Sequence, residues 1–138
     1  MDHGIIRQIL EGGIPHSNAL GLALEELGDA HAVMRLPWAE RLVGNPETGV
    51  LHGGVITTLM DTACGAAAMC ALQDPVPFAT LDLRIDYLRP ATPRRELFAR
   101  AECYRVTRSI LFVRGVAYHE APDDPVANAT ATFMLTRP

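Results

Sequence analysis

The stretch "LHGGVITTLMDTACGAAAMCAL", Leu51 to Leu72, decides how the rest of the chain is read. From Gly53 to Leu72 it carries a single charged side chain, Asp61, in an otherwise apolar or small-residue run. Gly44, Asn45, Pro46 and Gly49 read as the loop before it, and Pro75 and Pro77 close it off, so a helix over about 53–72 is expected. Being apolar on all faces, that helix has to be buried inside the domain. An ionised carboxylate in such a place is costly unless it is paired, solvated or neutralised, and sequences seldom keep that cost for packing alone. Asp61 is therefore a candidate for chemistry, the alternatives being an exposed stripe of the helix or an internal ion pair.

The chain has 138 residues, enough for one compact domain and too few for two with ordinary cores. With 49% apolar and 20% charged residues it is of globular composition, neither disordered nor membrane-like. A net charge of −4 offers no overall attraction to nucleic acid or anionic lipid. Eight arginines, Arg84 to Arg114, nevertheless share a 31-residue window of charge +5, against −9 for the remainder. All twelve basic residues are arginine, whose planar fork suits phosphate. Most of these arginines, taken singly, also fit the solvated face of a sheet.

Cys64, Cys70 and Cys103 form no C-x-x-C pair, so neither a disulfide framework nor a metal site is expected, and reduced buried thiols in a cytoplasmic protein fit better. The first residues lack a basic segment followed by an apolar core, so no secretion signal is read. The run from Val55 to Leu72 approaches membrane-span length, but Asp61, three threonines and Gly65 within it argue against spanning.

Outward from the central helix, Ile5, Ile6, Ile9 and Leu10 recur at helical spacing and stop at Gly12-Gly13, which predicts an N-terminal helix within 1–13 that docks by that face. Leu20, Leu22 and Leu24 alternate, Gly28-Asp29 reads as a turn, and Ala32, Met34 and Leu36 alternate again, which predicts a hairpin. After the helix, "TLDLRIDYLRP" puts Leu81, Leu83, Ile85 and Tyr87 on one face and Asp82, Arg84 and Asp86 on the other. Three more strands follow, "RRELFARAECYRV", "RSILFVRGVAYHE" and "PVANATATFMLTR". The expectation is a single α+β domain over 1–138 in which an antiparallel sheet wraps the helix.

That layout, with "NPETGVLHGGVITTLMDTACG" at the helix entrance and "TLDLRIDYLRPA" on the next strand, resembles the hotdog-fold acyl-coenzyme A thioesterases of the phenylacetate-degradation type, over residues 15 to 136. The resemblance implies a catalytic set of Asp61 as nucleophile or general base, Gly53 as the backbone donor to the thioester oxygen, Thr80 as the residue that orients the nucleophile, and Asn45 as a contact to the thioester or lytic water. Asn45 stands seven residues before His52 where six is common. His52 and Gly54 fall beside the substrate, His52 as a structural histidine rather than a base, and no metal or organic cofactor is implied, coenzyme A being part of the substrate. Independently of any resemblance, a helix N-terminus offers unpaired N–H groups and a positive dipole end to an oxyanion, and two glycines let a ligand come close.

Arg89, Arg94, Arg95 and Arg108 flank strand ends and turns and are the candidates for the phosphates of coenzyme A. A non-catalytic acyl-CoA binder and a hotdog hydratase or dehydratase are the rival readings. Gly53 and Asp61 are eight residues apart, about 12 Å along a helix axis, so the two cannot serve one carbonyl from the same helix. A homodimer at least is expected, and the resemblance adds that such dimers often pair into tetramers.

Overall fold

The structure, a computed structural model, describes residues 1–136. Two helices open the chain, α1 (His3–Gly12) and α2 (Pro15–Leu20). The strands β1 (Ala23–Leu27) and β2 (His31–Leu36) follow, then a small hairpin of β3 (Val43–Asn45) and β4 (Val50–Leu51). The long helix α3 (Gly53–Ala71) leads into β5 (Phe78–Tyr87), β6 (Leu97–Val106), β7 (Ile110–Tyr118) and β8 (Ala127–Leu135). Six strands form one antiparallel sheet in the order β1-β2-β6-β7-β8-β5, curled about α3. This is the hotdog arrangement the sequence led us to expect.

α3 fits because its packing face and the sheet are both made of small side chains. Ala63, Cys64, Ala66, Ala67 and Ala68 are fully buried on the helix, while Ala99, Ala101, Ala117, Ala129 and Ala131 point inward from β6, β7 and β8. At Gly115 a Cβ would stand 3.5 Å from the Cys64 sulfur and 3.2 Å from the Arg100 carbonyl oxygen. Larger residues fill the flanks of the same core, among them Leu59, Met60, Leu97 and Leu111, all at 0% exposure. α3 is the one helix among the described residues long and apolar enough to cross a membrane, and here it is the core of the domain.

The structure corrects four details of the sequence reading. α3 is not buried all round: a stripe through Thr57, Thr58, Asp61, Thr62, Gly65 and Met69 stays partly open. Leu20 ends α2 rather than starting a strand, because Pro15 at the first helical turn begins a helix that Gly21, at φ 82°, stops in the left-handed region. On α1 only Ile6 and Leu10 dock, while Ile5 and Ile9 stay exposed. On β5, Leu83 and Ile85 face the core as expected, but Leu81 and Tyr87 are exposed. A bulge between Thr80 and Asp82 breaks the alternation, and β5 is an edge strand hydrogen-bonded only to β8.

Gly115→Val should drive a branched side chain into the seam between β7 and α3 and cost about 2–3 kcal/mol of stability, read as a lower urea midpoint. The control Val116→Thr, one residue along and on the outer face, should leave the midpoint within experimental scatter.

Candidate active site

Asp61 sits in the middle of α3 on its open stripe, half-buried. The Thr80 hydroxyl, from β5, donates to its Oδ1 at 3.1 Å. The bulge after Thr80 lets this side chain turn inward to the helix while Leu81 turns out. Two residues 19 apart in the chain, both singled out from the sequence, are thus in contact. They border a cavity of about 260 Å³ between α3, β5 and the α1–α2 segment. Wider hollows of about 590 and 450 Å³ lie on the outer face of the sheet, where paired charges such as Arg114 and Glu102 line them and none of the candidate catalytic side chains reaches.

The helix entrance is built around His52. Its Nδ1 accepts the Gly54 N–H at 2.9 Å, capping α3, so the ring proton lies on Nε2. This gives His52 a structural task and commits the Gly54 amide. The Gly53 amide, first in the helix, has no intrahelical acceptor and meets none among the described residues. The Gly53 carbonyl is held by the hydroxyl groups of Tyr87 (2.9 Å) and Thr57 (3.1 Å), which also touch one another at 2.9 Å. Tyr87 ties the far end of β5 to the start of α3, a link that the sequence pattern did not single out.

Asn45 closes its own turn: its Oδ1 accepts the Glu47 N–H at 3.0 Å and its backbone carbonyl accepts from Thr48 and Gly49. Its side-chain oxygen is therefore committed to the loop before α3, and its amide N–H groups are not. His16 and Ser17 of α2 were also missed by the sequence reading. His16 Nε2 lies 3.3 Å from the Thr58 hydroxyl, itself bonded to the Gly54 carbonyl, and Ser17 is buried in the lining of the 260 Å³ cavity. Nothing in their spacing marks them, because the contact runs between segments some forty residues apart.

Of the four candidate phosphate ligands, three share the loop between β5 and β6. Arg89 pairs with Asp124 at 3.2 Å and Arg95 with Glu120 at 2.7 Å, both surface pairs of small energetic weight. Arg94, at φ 60°, holds its guanidinium 5.7 Å from the centre of the Trp38 ring and makes no ion pair among the described residues. His119, the residue after β7, anchors this loop: Nδ1 donates to the Glu96 carbonyl and Nε2 accepts the Thr92 N–H, each at 2.9 Å. Arg108 lies in the β6–β7 turn, separated from the other three by the length of β6, on the order of 33 Å. The structure does not bring it to them. Arg84, Arg100 and Arg114 are in ion pairs on the outer face, as the solvated-sheet alternative had it.

The three cysteines are buried and free. Burial, with the Asp61 charge adding to it, pushes the Cys64 thiol up to about 12, and burial also raises Cys70 and Cys103. A thiol so held carries almost no thiolate at neutral pH. Among the described residues no three His, Cys, Asp or Glu side chains converge as metal ligands.

Comparison with known proteins gives concordant matches. The thioesterase superfamily model matches residues 48–126. A medium/long-chain acyl-CoA thioesterase of Salmonella typhimurium is 32% identical over 135 residues, 88% of this chain and 86% of that protein. A solved structure from Pseudomonas aeruginosa is 46% identical with a TM-score of 0.84, covering 94% of this chain and 95% of that one. A mutant form of the phenylacetic acid degradation protein PaaI of Thermus thermophilus is 27% identical with a TM-score of 0.77, covering 88% and 99%.

The raised Cys64 thiol sets a test of the site's chemistry and of stability together. Since its folded value lies above the ordinary 9.0, the stability linked to it is fully present below pH 9 and is lost as the pH climbs towards 12. Native protein should resist a thiol-reactive dye at pH 8 and react at all three cysteines only in denaturant, and urea midpoints should begin to fall only above pH 9.

Proposed function

The chain belongs to the thioesterase superfamily as a hotdog thioester hydrolase of the phenylacetate-degradation type, and from that premise we propose that it hydrolyses acyl-CoA to a free acid and coenzyme A. The observation that carries this reading is the Asp61 carboxylate, the one charge of α3, oriented by Thr80 at the mouth of a cavity. The name of the Salmonella relative supports medium- and long-chain acyl groups as the substrate class.

In the proposed reaction Asp61 takes a proton from water as the resulting hydroxide attacks the thioester carbon, or attacks that carbon itself to give an anhydride that water then opens. Either route passes through an oxyanion, for which the unpaired Gly53 N–H at the positive end of a helix is the donor. Collapse expels the coenzyme A thiolate, which in the first route takes up the proton that Asp61 drew from water and in the second is balanced by the proton released when water opens the anhydride. Thr80 fixes the carboxylate by its hydrogen bond, and the Asn45 amide remains available to the lytic water or the thioester oxygen. His52 and Gly54 shape the backbone beside the substrate. No metal or organic cofactor enters this scheme.

Gly53 and Asp61 are separated by about 12 Å along α3, so the scheme needs the Gly53 of a second copy. β5 supplies the means: it is a ten-residue edge strand with Leu81, Tyr87 and nearby Leu88 all more than half exposed. Pairing two such edges gives a homodimer with two shared sites, and resemblance to the hotdog enzymes supports a dimer of dimers. Arg94, bound to no carboxylate, leads the candidates for the coenzyme A phosphates, with Arg89 and Arg95 exchanging weak surface pairs for stronger phosphate contacts. Arg108 could join them only from another subunit. The buried, protonated thiols fit a cytoplasmic enzyme.

Asp61→Asn should fold with an unchanged melting temperature and lose at least about a thousandfold in kcat, measured by thiol release from acyl-CoA. Activity within a few-fold of the unaltered protein would reject the scheme. Subunit exchange between Asp61→Ala and an inactive, folded Gly53 variant should restore activity in mixed dimers, and an active monomer would refute the shared site. Arg94→Ala should raise KM for acyl-CoA while sparing a short thioester that lacks the nucleotide, an effect that rising salt should mimic.

A further inference from the structure

Between β5 and β6 the backbone leaves the sheet over residues 88–96, and this segment carries Arg89, Arg94 and Arg95. Its start is tied down, because the Leu88 and Arg89 N–H groups both donate to the Val126 carbonyl, and at its end Leu97 rejoins the sheet opposite Leu36. In between, among the described residues, the backbone is hydrogen-bonded to the rest of the fold only through the His119 ring, at Thr92 and at Glu96, and the one buried residue is Ala91. His119, at 8% exposure, thus spans the base of a turn whose tip is Arg94.

The tip is held in an uncommon shape for a purpose that local packing does not supply. Arg94 stands at φ 60°, in the left-handed region, which is costly for a residue with a Cβ and lasts only where the surroundings impose it. Beside it, Pro93 lies so close to Gly49 that a Cβ on that glycine would stand 3.3 Å from the proline Cβ. Trp38, whose Nε1 donates to the Gly49 carbonyl at 2.9 Å, lies under the Arg94 guanidinium. The β5–β6 turn is therefore seated on the β3–β4 turn, which carries Asn45 and leads into α3. Trp38, Pro46, Gly49 and Arg94 share the wall of a cavity of about 190 Å³ at this seat.

We propose that His119 is a positioning residue for coenzyme A, its ring clamping the turn so that Arg94 meets a phosphate from a fixed place. The bond to Thr92 is the working half of the clamp. Glu96 has other holds, since the next residue pairs with β2 and Arg35 bonds its carboxylate at 3.3 Å, whereas Thr92 is hydrogen-bonded to the rest of the fold through His119 alone among the described residues. Without the clamp the turn has to be ordered at the expense of substrate binding, which weakens affinity and leaves the chemical step as it was. The proposal rests on the acyl-CoA hydrolase reading with Arg94 as a phosphate ligand, and adds to it the residue that holds Arg94 in place.

The test compares kcat and KM for an acyl-CoA with those for the same acyl group on N-acetylcysteamine, which lacks the nucleotide. His119→Leu should raise KM for the acyl-CoA about tenfold, with kcat within about twofold and the N-acetylcysteamine thioester unaffected. His119→Gln, whose side-chain oxygen can still accept the Thr92 N–H, should recover most of the loss, while His119→Asn, which reaches only Glu96, should not; this pair decides the matter if His119→Leu folds poorly. Emission of Trp38, the single tryptophan of the chain, should report coenzyme A binding at about tenfold higher concentration in His119→Leu. Adding His119→Leu to Arg94→Ala should raise KM no further, because the clamp acts through Arg94. A raised KM in Arg94→Ala with none in any His119 variant would overturn the clamp and leave the phosphate reading standing. Equal losses on both substrates in the His119 variants, or a further rise in the double variant, would also overturn it, and an unchanged KM in Arg94→Ala would remove both readings.

Discussion

The contact between α3 and the inner face of the sheet is made by alanine, glycine and cysteine along its centre, and the distance between helix and strands follows from that. Side chains of this size bring two backbones close, where dispersion contacts are dense and no space is left for repacking. A six-stranded sheet can then curl far enough to cover most of a nineteen-residue helix in a chain of only 138 residues. The larger core residues, Leu59, Met60, Leu97 and Leu111, fill the flanks that the curl opens.

The curl does not close, and the site lies where it stops. β5 is the last strand on that side, and beyond it the stripe of α3 that carries Asp61 is covered only by α1 and α2. A carboxylate on this stripe avoids the desolvation it would suffer on the opposite face while remaining next to apolar walls. The bulge in β5 does double service. It turns Thr80 inward onto Asp61 and turns Leu81 outward onto an unpaired edge, so the feature that orients the acid also prepares the surface for a second subunit.

Much of this was legible in the sequence because it is local. A run of apolar and small residues broken by one aspartate fixed α3 to within a residue at its C-terminal end, and period-two patterns located β5 to β8. The Thr80–Asp61 contact came from family resemblance, since nineteen residues of separation leave no periodic trace. What escaped was long-range or irregular. The end of α2 was read as strand because Leu20, Leu22 and Leu24 alternate across a break that only the left-handed Gly21 creates. Leu81 and Tyr87 were turned inward because a bulge cannot be seen in an alternating pattern. Arg108 was grouped with Arg89, Arg94 and Arg95 because all four flank strand ends and turns of the basic window, but a ten-residue strand carries it to the other end of the sheet. Tyr87 and His119 hold the helix entrance and the arginine loop by long-range hydrogen bonds, which no spacing rule reports.

The seam of small side chains also governs how such a protein can change over evolutionary time. At Gly115 even one added methyl group presses on a neighbouring backbone, so drift there is tightly limited. α1 and α2 stand apart from that seam: they precede every residue of the proposed chemistry, belong to no sheet, and meet the cavity through a few side chains. Ile6 and Leu10 fasten α1 to the core, at 0% and 2% exposure, but most other positions of α1 face outward and take no part in strand register. The architecture thus sets a tightly packed seam, where a single added methyl group is costly, against a cover whose outward positions are free to vary.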